Sequence, residues 1–249
     1  MLLTTHRARA GQLVAAWALW AALASQAAHG ALSIGATRIV YNGDARSTTV
    51  LVRNPSSETY AAQVWVNTQA DDTTTAVPFM PGPLLFRMNP GAEQLVRITS
   101  LPNDLPNDRE SLFFFNVQEI PQVKRDPDAE AANTLTLALR TRIKFFYRPV
   151  SIAGEPLKRL GELRWRTESA GRQLVVNNPT PYHFTFNRLE VNNGKDSQRL
   201  SNPVMLTPFG EQRYALPSAV AGQATVTFSA INDYGGYSDP QAAKASPLP

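Results

Sequence analysis

Few residues of this 249-residue chain are of the kinds that break bonds or hold metals. It has no cysteine, which removes thiolate metal ligands, cysteine nucleophiles and disulfides together. Its three histidines stand at 6, 29 and 183, and the first two fall in a stretch with the form of a leader. His183 alone is too little for a histidine zinc site or a Ser-His-Asp triad, and beside Tyr182 it reads as decoration on a strand. Acid pairs such as Asp71-Asp72 are turn residues by type, and no spacing sets two carboxylates across a cleft. There is no G-x-S-x-G, no P-loop and no G-x-G-x-x-G. The chain therefore reads as a binding protein rather than an enzyme, with no catalytic residue, metal or cofactor assigned.

More informative are charged side chains set into apolar β-like runs. Arg38 opens the run RIVY, and Lys144 sits between Ile143 and Phe145-Phe146. A lysine inside an apolar strand is costly unless it reaches water or meets an anion. Its plainest reading is an outward-facing residue on a half-exposed sheet; the other is a cation held for an anionic partner. Glu110, Arg148 and Asp233 also border strong β runs, and none of the three is informative alone.

The element that must carry Lys144 and Arg148 is the stretch 133–149, NTLTLALRTRIKFFYRP. Leu135, Leu137 and Leu139 alternate in it, so they share one face of a β-strand. The stretch is nearly three times the usual strand of about 5–6 residues. Its Leu row faces either its own core or another protein. Strict alternation puts Lys144 on the opposite face from that row, and a bulge near residues 140–142 is one way to redirect it.

Short β-like runs separated by Pro, Gly and Asn turns fill the rest. Before the long strand come runs at 38–41, 48–53, 60–67, 79–80, 85–86, 94–99 and 112–118. That many strands in about 120 residues fit one immunoglobulin-like sandwich. After a connector at 150–156 come 163–166, 173–177, 183–186, 188–191, 204–206, 212–214 and 225–231, a second and smaller sandwich. The fold class is thus all-β, two immunoglobulin-like β-sandwich domains. The division expected is a leader at 1–30, domains at 31–150 and 151–240, and a tail at 241–249 that frays. The charged segment 121–132 is expected to be a mobile hairpin loop.

The first thirty residues have the form of a secretory signal: Arg7 and Arg9, then an apolar run at 13–24, then small residues to Gly30. The run is shorter than the about 20 residues of a membrane span, which leaves an uncleaved anchor as the lesser alternative. Without Arg7 and Arg9, 22 basic residues face 20 acidic ones, so the charge balance is weak support for nucleic-acid binding. No nucleic-acid partner is assigned.

Read in order, several segments resemble the periplasmic pilus-assembly chaperones of the PapD type. They are ALSIGATRIVYNG (31–43), MNPGAEQLVRI (88–98), LPNDRESLFFFNVQEIP (105–121), LTLALRTRIKFFYRP (135–149), NNPTPYHF (177–184) and INDYGG (231–236). The resemblance implies two domains at an angle with a cleft between them. It implies a chaperone that binds pilus or fimbrial subunits by donor-strand complementation in the periplasm and delivers them to an outer-membrane usher. Leu135, Leu137 and Leu139 would be the donor strand. Arg38 and Lys144 would anchor the subunit's C-terminal carboxylate. Glu110, Arg148 and Asp233 would be a structural salt-bridge group linking the domains. An exposed Leu row also makes a self-capping homodimer a further expected partner state.

Three features depart from the family pattern. The cysteine pair of some members is missing, the usual acid two before the first-strand Arg is Ala36, and loop 121–132 leans toward the short-loop branch of rod-like pili. The rivals are an exported two-domain carbohydrate-binding or adhesin module and a self-assembling fibre component.

Overall fold

The computed structural model describes residues 31–72, 74–122, 137–194 and 196–247. From Leu32 onward the chain packs as one unit. Two hydrophobic cores lie within it, one built from residues between Leu32 and Phe145 and one from residues between Leu160 and Ala245.

Among the described residues the first lobe has nine strands: β1 (Ser33–Ile34), β2 (Arg38–Asn42), β3 (Ser47–Arg53), β4 (Tyr60–Asn67), β5 (Phe79–Gly82), β6 (Leu85–Met88), β7 (Glu93–Ser100), β8 (Ser111–Pro121) and β9 (Arg140–Arg148). They form a four-stranded sheet in the order β1-β3-β7-β5 and a five-stranded sheet in the order β2-β9-β8-β4-β6. Alternation in sequence decides which residues meet between them. Val50 and Val52, Val96 and Ile98, Val64 and Val66, and Phe113, Phe115 and Val117 are buried on the inner faces, while most of their neighbours are on the other face and more exposed; Asn116 and Asn67 are buried there too and hydrogen-bonded to each other. Tyr41, Phe79 and Phe145 cluster at one end of this core, with ring centroids 4.7–6.1 Å apart.

The second lobe follows two 3-10 turns, Val150–Ile152 and Pro156–Glu162. Its strands are β10 (Arg164–Glu168), β11 (Gln173–Asn177), β12 (Phe186–Asn192), β13 (Ser197–Arg199), β14 (Glu211–Ala215), β15 (Ala224–Ala230) and β16 (Gln241–Pro247). All seven join one curled ladder, β13-β12-β15-β16-β10-β11-β14, around a core centred on Trp165, Phe186 and Phe228.

Two expectations need correction. The tail at 241–249 does not fray over its described part. Gln241–Pro247 is β16, antiparallel to β15 and parallel to β10, and it closes the ladder. Ala245 stands opposite Ala224 and Trp165 in the two ladders and is fully buried in the second core. The strand expected over 133–149 is also shorter. It begins at Arg140; residues 137–139 carry no strand assignment, and 133–136 lie outside the described residues. The longest strand among the described residues is β8, with 11 residues. Most of loop 121–132 lies outside the described residues too, except that Pro121 ends β8.

Candidate functional site

Two strands that are neighbours in space but far apart in sequence build the site. β2 pairs with β9 in parallel, and the register sets Arg38 beside Lys144, Val40 beside Phe146 and Asn42 beside Arg148. Paired residues of a parallel ladder share a face, so Arg38 and Lys144 point to the same side. Ile39 with Phe145 and Tyr41 with Tyr147 point the other way, into the first core.

The alternation of β9 therefore has two distinct uses. The row Lys144, Phe146, Arg148 faces the second lobe. Lys144 Nζ donates to Thr185 Oγ1 at 2.9 Å, the Phe146 ring lies 5.4 Å from that of His183, and Arg148 donates to Asp233. The row Ile143, Phe145, Tyr147 packs on the first core. Pairing of β8 with β9 runs without a register shift from Gln118 opposite Arg140 to Ser111 opposite Tyr147. No bulge near 140–142 redirects Lys144. It does face away from the core-side row, and that facing puts it in the cleft.

Followed backward, the core-side row reaches Thr141, Leu139 and Leu137, where the lobe has no more core to offer. Leu137 is 68% exposed and Leu139 48% exposed, and neither belongs to the described hydrophobic core. The edge is nonetheless ordered by β8 at this point. The Leu139 carbonyl accepts from Glu119 N at 2.9 Å and from Gln118 Nε2 at 3.0 Å. Leu135 lies outside the described residues.

Charge is distributed unevenly across the cleft. Arg148 sits between two acids: Nε donates to Glu110 Oε1 at 2.9 Å, while Nη1 and Nη2 donate to the two oxygens of Asp233 at 2.8 and 2.9 Å. Burial works against its charge, but Asp233 and Glu110 more than offset this and its pKa is raised. Glu110 is buried and also accepts from His183 N at 2.8 Å, with His183 Nδ1 at 3.2 Å. Glu110 and Arg148 come from the first lobe, Asp233 and His183 from the second, so this group is a satisfied joint between the lobes.

Arg38 and Lys144 are in the opposite condition. Among the described residues neither forms an ion pair, and the buried Arg38 Nε has no hydrogen-bond partner. Burial and then the Arg38 charge push the Lys144 ammonium down to about 8. Burial also lowers the Arg38 guanidinium, against the attraction of Asp233 and Glu110. Two adjacent, partly desolvated cations, neither in an ion pair among the described residues, are what an anionic group can stabilise by charge-assisted hydrogen bonds. A cavity of about 390 Å³ opens beside Arg38, with Phe146, Arg148, His183, Asp233 and Tyr234 also on its walls.

The joining turn 231–236 explains how the second lobe reaches this place. Asn232 Oδ1 accepts from Tyr234 N and Gly236 N, which tightens the turn. Gly235 has φ +88°, and a Cβ there would collide with Thr37 Oγ1, so the position needs glycine for both conformation and space.

The comparisons with known proteins are decisive. Residues 31–153 match the family model for the PapD N-terminal domain of pili and flagellar-assembly chaperones, and residues 158–242 match that for the PapD C-terminal domain. This chain belongs to the PapD family of pilus-assembly chaperones. The chaperone is 37% identical over 247 residues to the chaperone protein FimB/FhaD of Bordetella pertussis, covering 96% of this chain and 98% of that one. It is 36% identical to the chaperone protein PapD of Escherichia coli, covering 84% of each. A chain in the solved complex of Salmonella enterica SafA pilin with the SafB chaperone superposes with a TM-score of 0.74 at 26% identity, covering 88% of this chain and 98% of that one. Two immunoglobulin-like domains are the shared fold.

Sequence reasoning missed three residues of the cleft. His183 was read as decorating a strand, but it lies in the loop before the isolated bridge residue Phe184 and contacts Glu110. Thr185 and the Ile231 carbonyl, which receive the two cations, carry no signal of their own in a single sequence.

Proposed function

We propose that this chaperone works in the periplasm, captures pilus subunits by lending them the edge of β9, and passes them to an outer-membrane usher without catalysis or cofactor. The observation that carries the reading is one strand with two commitments. Its cleft-side row includes Lys144 beside Arg38, and its core-side row runs out into exposed Leu139 and Leu137. A partner strand added along this edge gains main-chain hydrogen bonds, while its sandwich receives the leucines. Arg38 and Lys144 would hold the partner's C-terminal carboxylate and so set the register, because a slip of one residue turns the leucines to the wrong face. Lys144 is five positions from Leu139, about 17 Å along a strand.

Leu135 belongs to the same proposed donor row. Glu110, Arg148 and Asp233 are assigned to holding the lobes rather than to binding. The leader at 1–30, with domains at 31–150 and 151–240, completes the proposal, and its basic start and apolar run support export. The free chaperone would cover its exposed leucines by a self-capping homodimer. The glycan-binding alternative has exposed Tyr234 and Tyr237 in its favour and the family membership against it.

A Leu137→Asp variant tests the donor row. Each buried leucine contributes about 1.5–3 kcal/mol before association costs. The variant is expected to keep the wild-type melting temperature, because Leu137 is 68% exposed and outside the described core, and to recover less subunit by co-purification. Undiminished recovery would remove Leu137 from the donor row.

A pH titration tests the anchor independently. A bound carboxylate favours the protonated ammonium, so the Lys144 pKa rises above about 8 on binding. Below that pH the lysine is already charged and affinity is flat. Above it, binding must take up a proton, and affinity is expected to fall by up to about tenfold per pH unit until the bound-state pKa is reached. Affinity that stays level between pH 7 and 10, measured by calorimetry, contradicts a role for Lys144.

A further inference from the structure

Both cations of the cleft are carried by the first lobe, yet each has its polar contact in the second. Arg38 Nη1 donates to the Ile231 carbonyl at 3.3 Å, and Lys144 Nζ donates to Thr185 Oγ1 at 2.9 Å. The two acceptors are themselves joined, because Ile231 N donates to the Thr185 carbonyl at 2.9 Å. A pair of cations side by side on the β2–β9 ladder thus faces a pair of acceptors side by side on the second lobe. Phe184 and Phe186, on either side of Thr185, are buried in the second core and fix its backbone.

We infer that Thr185 is a positioning residue for the carboxylate anchor, holding the Lys144 ammonium beside Arg38 before the partner arrives. The inference rests on the anchor proposed above. Lysine has a flexible four-carbon stem and a compact charge, so without an acceptor its head samples many positions. An ammonium has three donors. One is satisfied by Thr185, and the others stay available to a carboxylate, so the threonine need not be displaced on binding. Fixing the donor in advance lowers the ordering cost of association. The same contact stabilises the charged form of a lysine that burial and Arg38 both disfavour. The other ionisable group on the same face of β9 is Arg142, and Glu110, Asp233 and His183 line the cavity beside Arg38; from β8 the register neighbour of Lys144 is the uncharged Phe114.

Thr185→Val keeps the shape and removes the hydroxyl, and Thr185→Ser keeps the hydroxyl. The experiment follows the Lys144 side-chain titration by NMR in the intact free protein. It then measures affinity for a peptide copied from the C-terminal strand of a pilus subunit, with a free carboxylate. Thr185→Val is expected to lower the Lys144 pKa below its wild-type value and to weaken the peptide about tenfold, the scale of one hydrogen bond to a charged group. Thr185→Ser is expected to restore both. An unchanged Lys144 titration in Thr185→Val, or a lowered one with peptide affinity intact, overturns the positioning role. A wild-type protein that ignores the peptide contradicts the anchor instead, while the titration still decides the role of Thr185.

Discussion

Arg38→Ala and Lys144→Ala are each expected to abolish recovery of a chaperone–subunit complex while leaving the chaperone as stable as before. The two halves of this expectation have different physical origins. Binding fails because each cation would give a carboxylate charge-assisted hydrogen bonds in a partly desolvated cleft, worth about 1.5–3 kcal/mol apiece. Loss of one also removes the stop that sets the register of a zippered edge, so the penalty extends along the strand to the leucines. Stability survives because neither side chain is half of an ion pair among the described residues. Their charges are held down by burial and, for Lys144, by the neighbouring Arg38. Removing a poorly compensated charge relieves that cost. Co-purification from periplasm and thermal melts of both variants read the two halves separately. Normal complex yield from both variants sinks the anchor assignment.

Arg148→Ala is expected to do the reverse and cost about 3–5 kcal/mol of folding stability, the usual loss when one partner of a buried ion pair is removed. Arg148 is 5% exposed and Glu110 4% exposed, so the acid is left buried and short of its main partner. Asp233 loses both of its hydrogen bonds to the guanidinium, and with them goes a link between the lobes. Arg148→Lys is expected to restore little. One ammonium cannot give two parallel bonds to Asp233 and a third to Glu110 as the planar guanidinium does. Guanidinium chloride melts give the measurement, and a change below about 1 kcal/mol would show that the joint contributes orientation only.

Much of this molecule is legible in its sequence because β-structure writes its facing into alternate residues. Val50 and Val52, or Phe113, Phe115 and Val117, announce a buried face wherever they occur. The same rule read on β9 created an apparent conflict between the leucine row and Lys144. Its resolution needed the tertiary structure: the core-side row runs past the end of its own core, and the opposite row meets a second lobe. Pattern does not report where a core ends, so it could not choose between a leucine facing its own domain and one left open. The tail misled for a related reason. Small residues such as Ala243 and Ala245, ending in Pro247 and Pro249, carry little strand signal of their own, and it is pairing with β15 and β10 that orders them. His183, Thr185 and Ile231 could not be placed, because their importance lies in what stands opposite them across the cleft. The roles of Arg38 and Lys144 came from resemblance. The residues alone left an ordinary surface lysine as the simpler reading.

The most direct test of strand lending is amide hydrogen exchange at residues 137–140, compared between the free chaperone and its isolated complex with a pilus subunit. Here the Leu139 carbonyl is tied back to β8, Arg140 stands opposite Gln118 at the start of the ladder, and the leucine side chains are exposed. These amides are expected to exchange readily when free and to become strongly protected in the complex, as the partner strand adds to the edge. Exchange equally fast in both states, from a complex shown to be intact, would mean that the subunit is held elsewhere and that β9 is not lent to it.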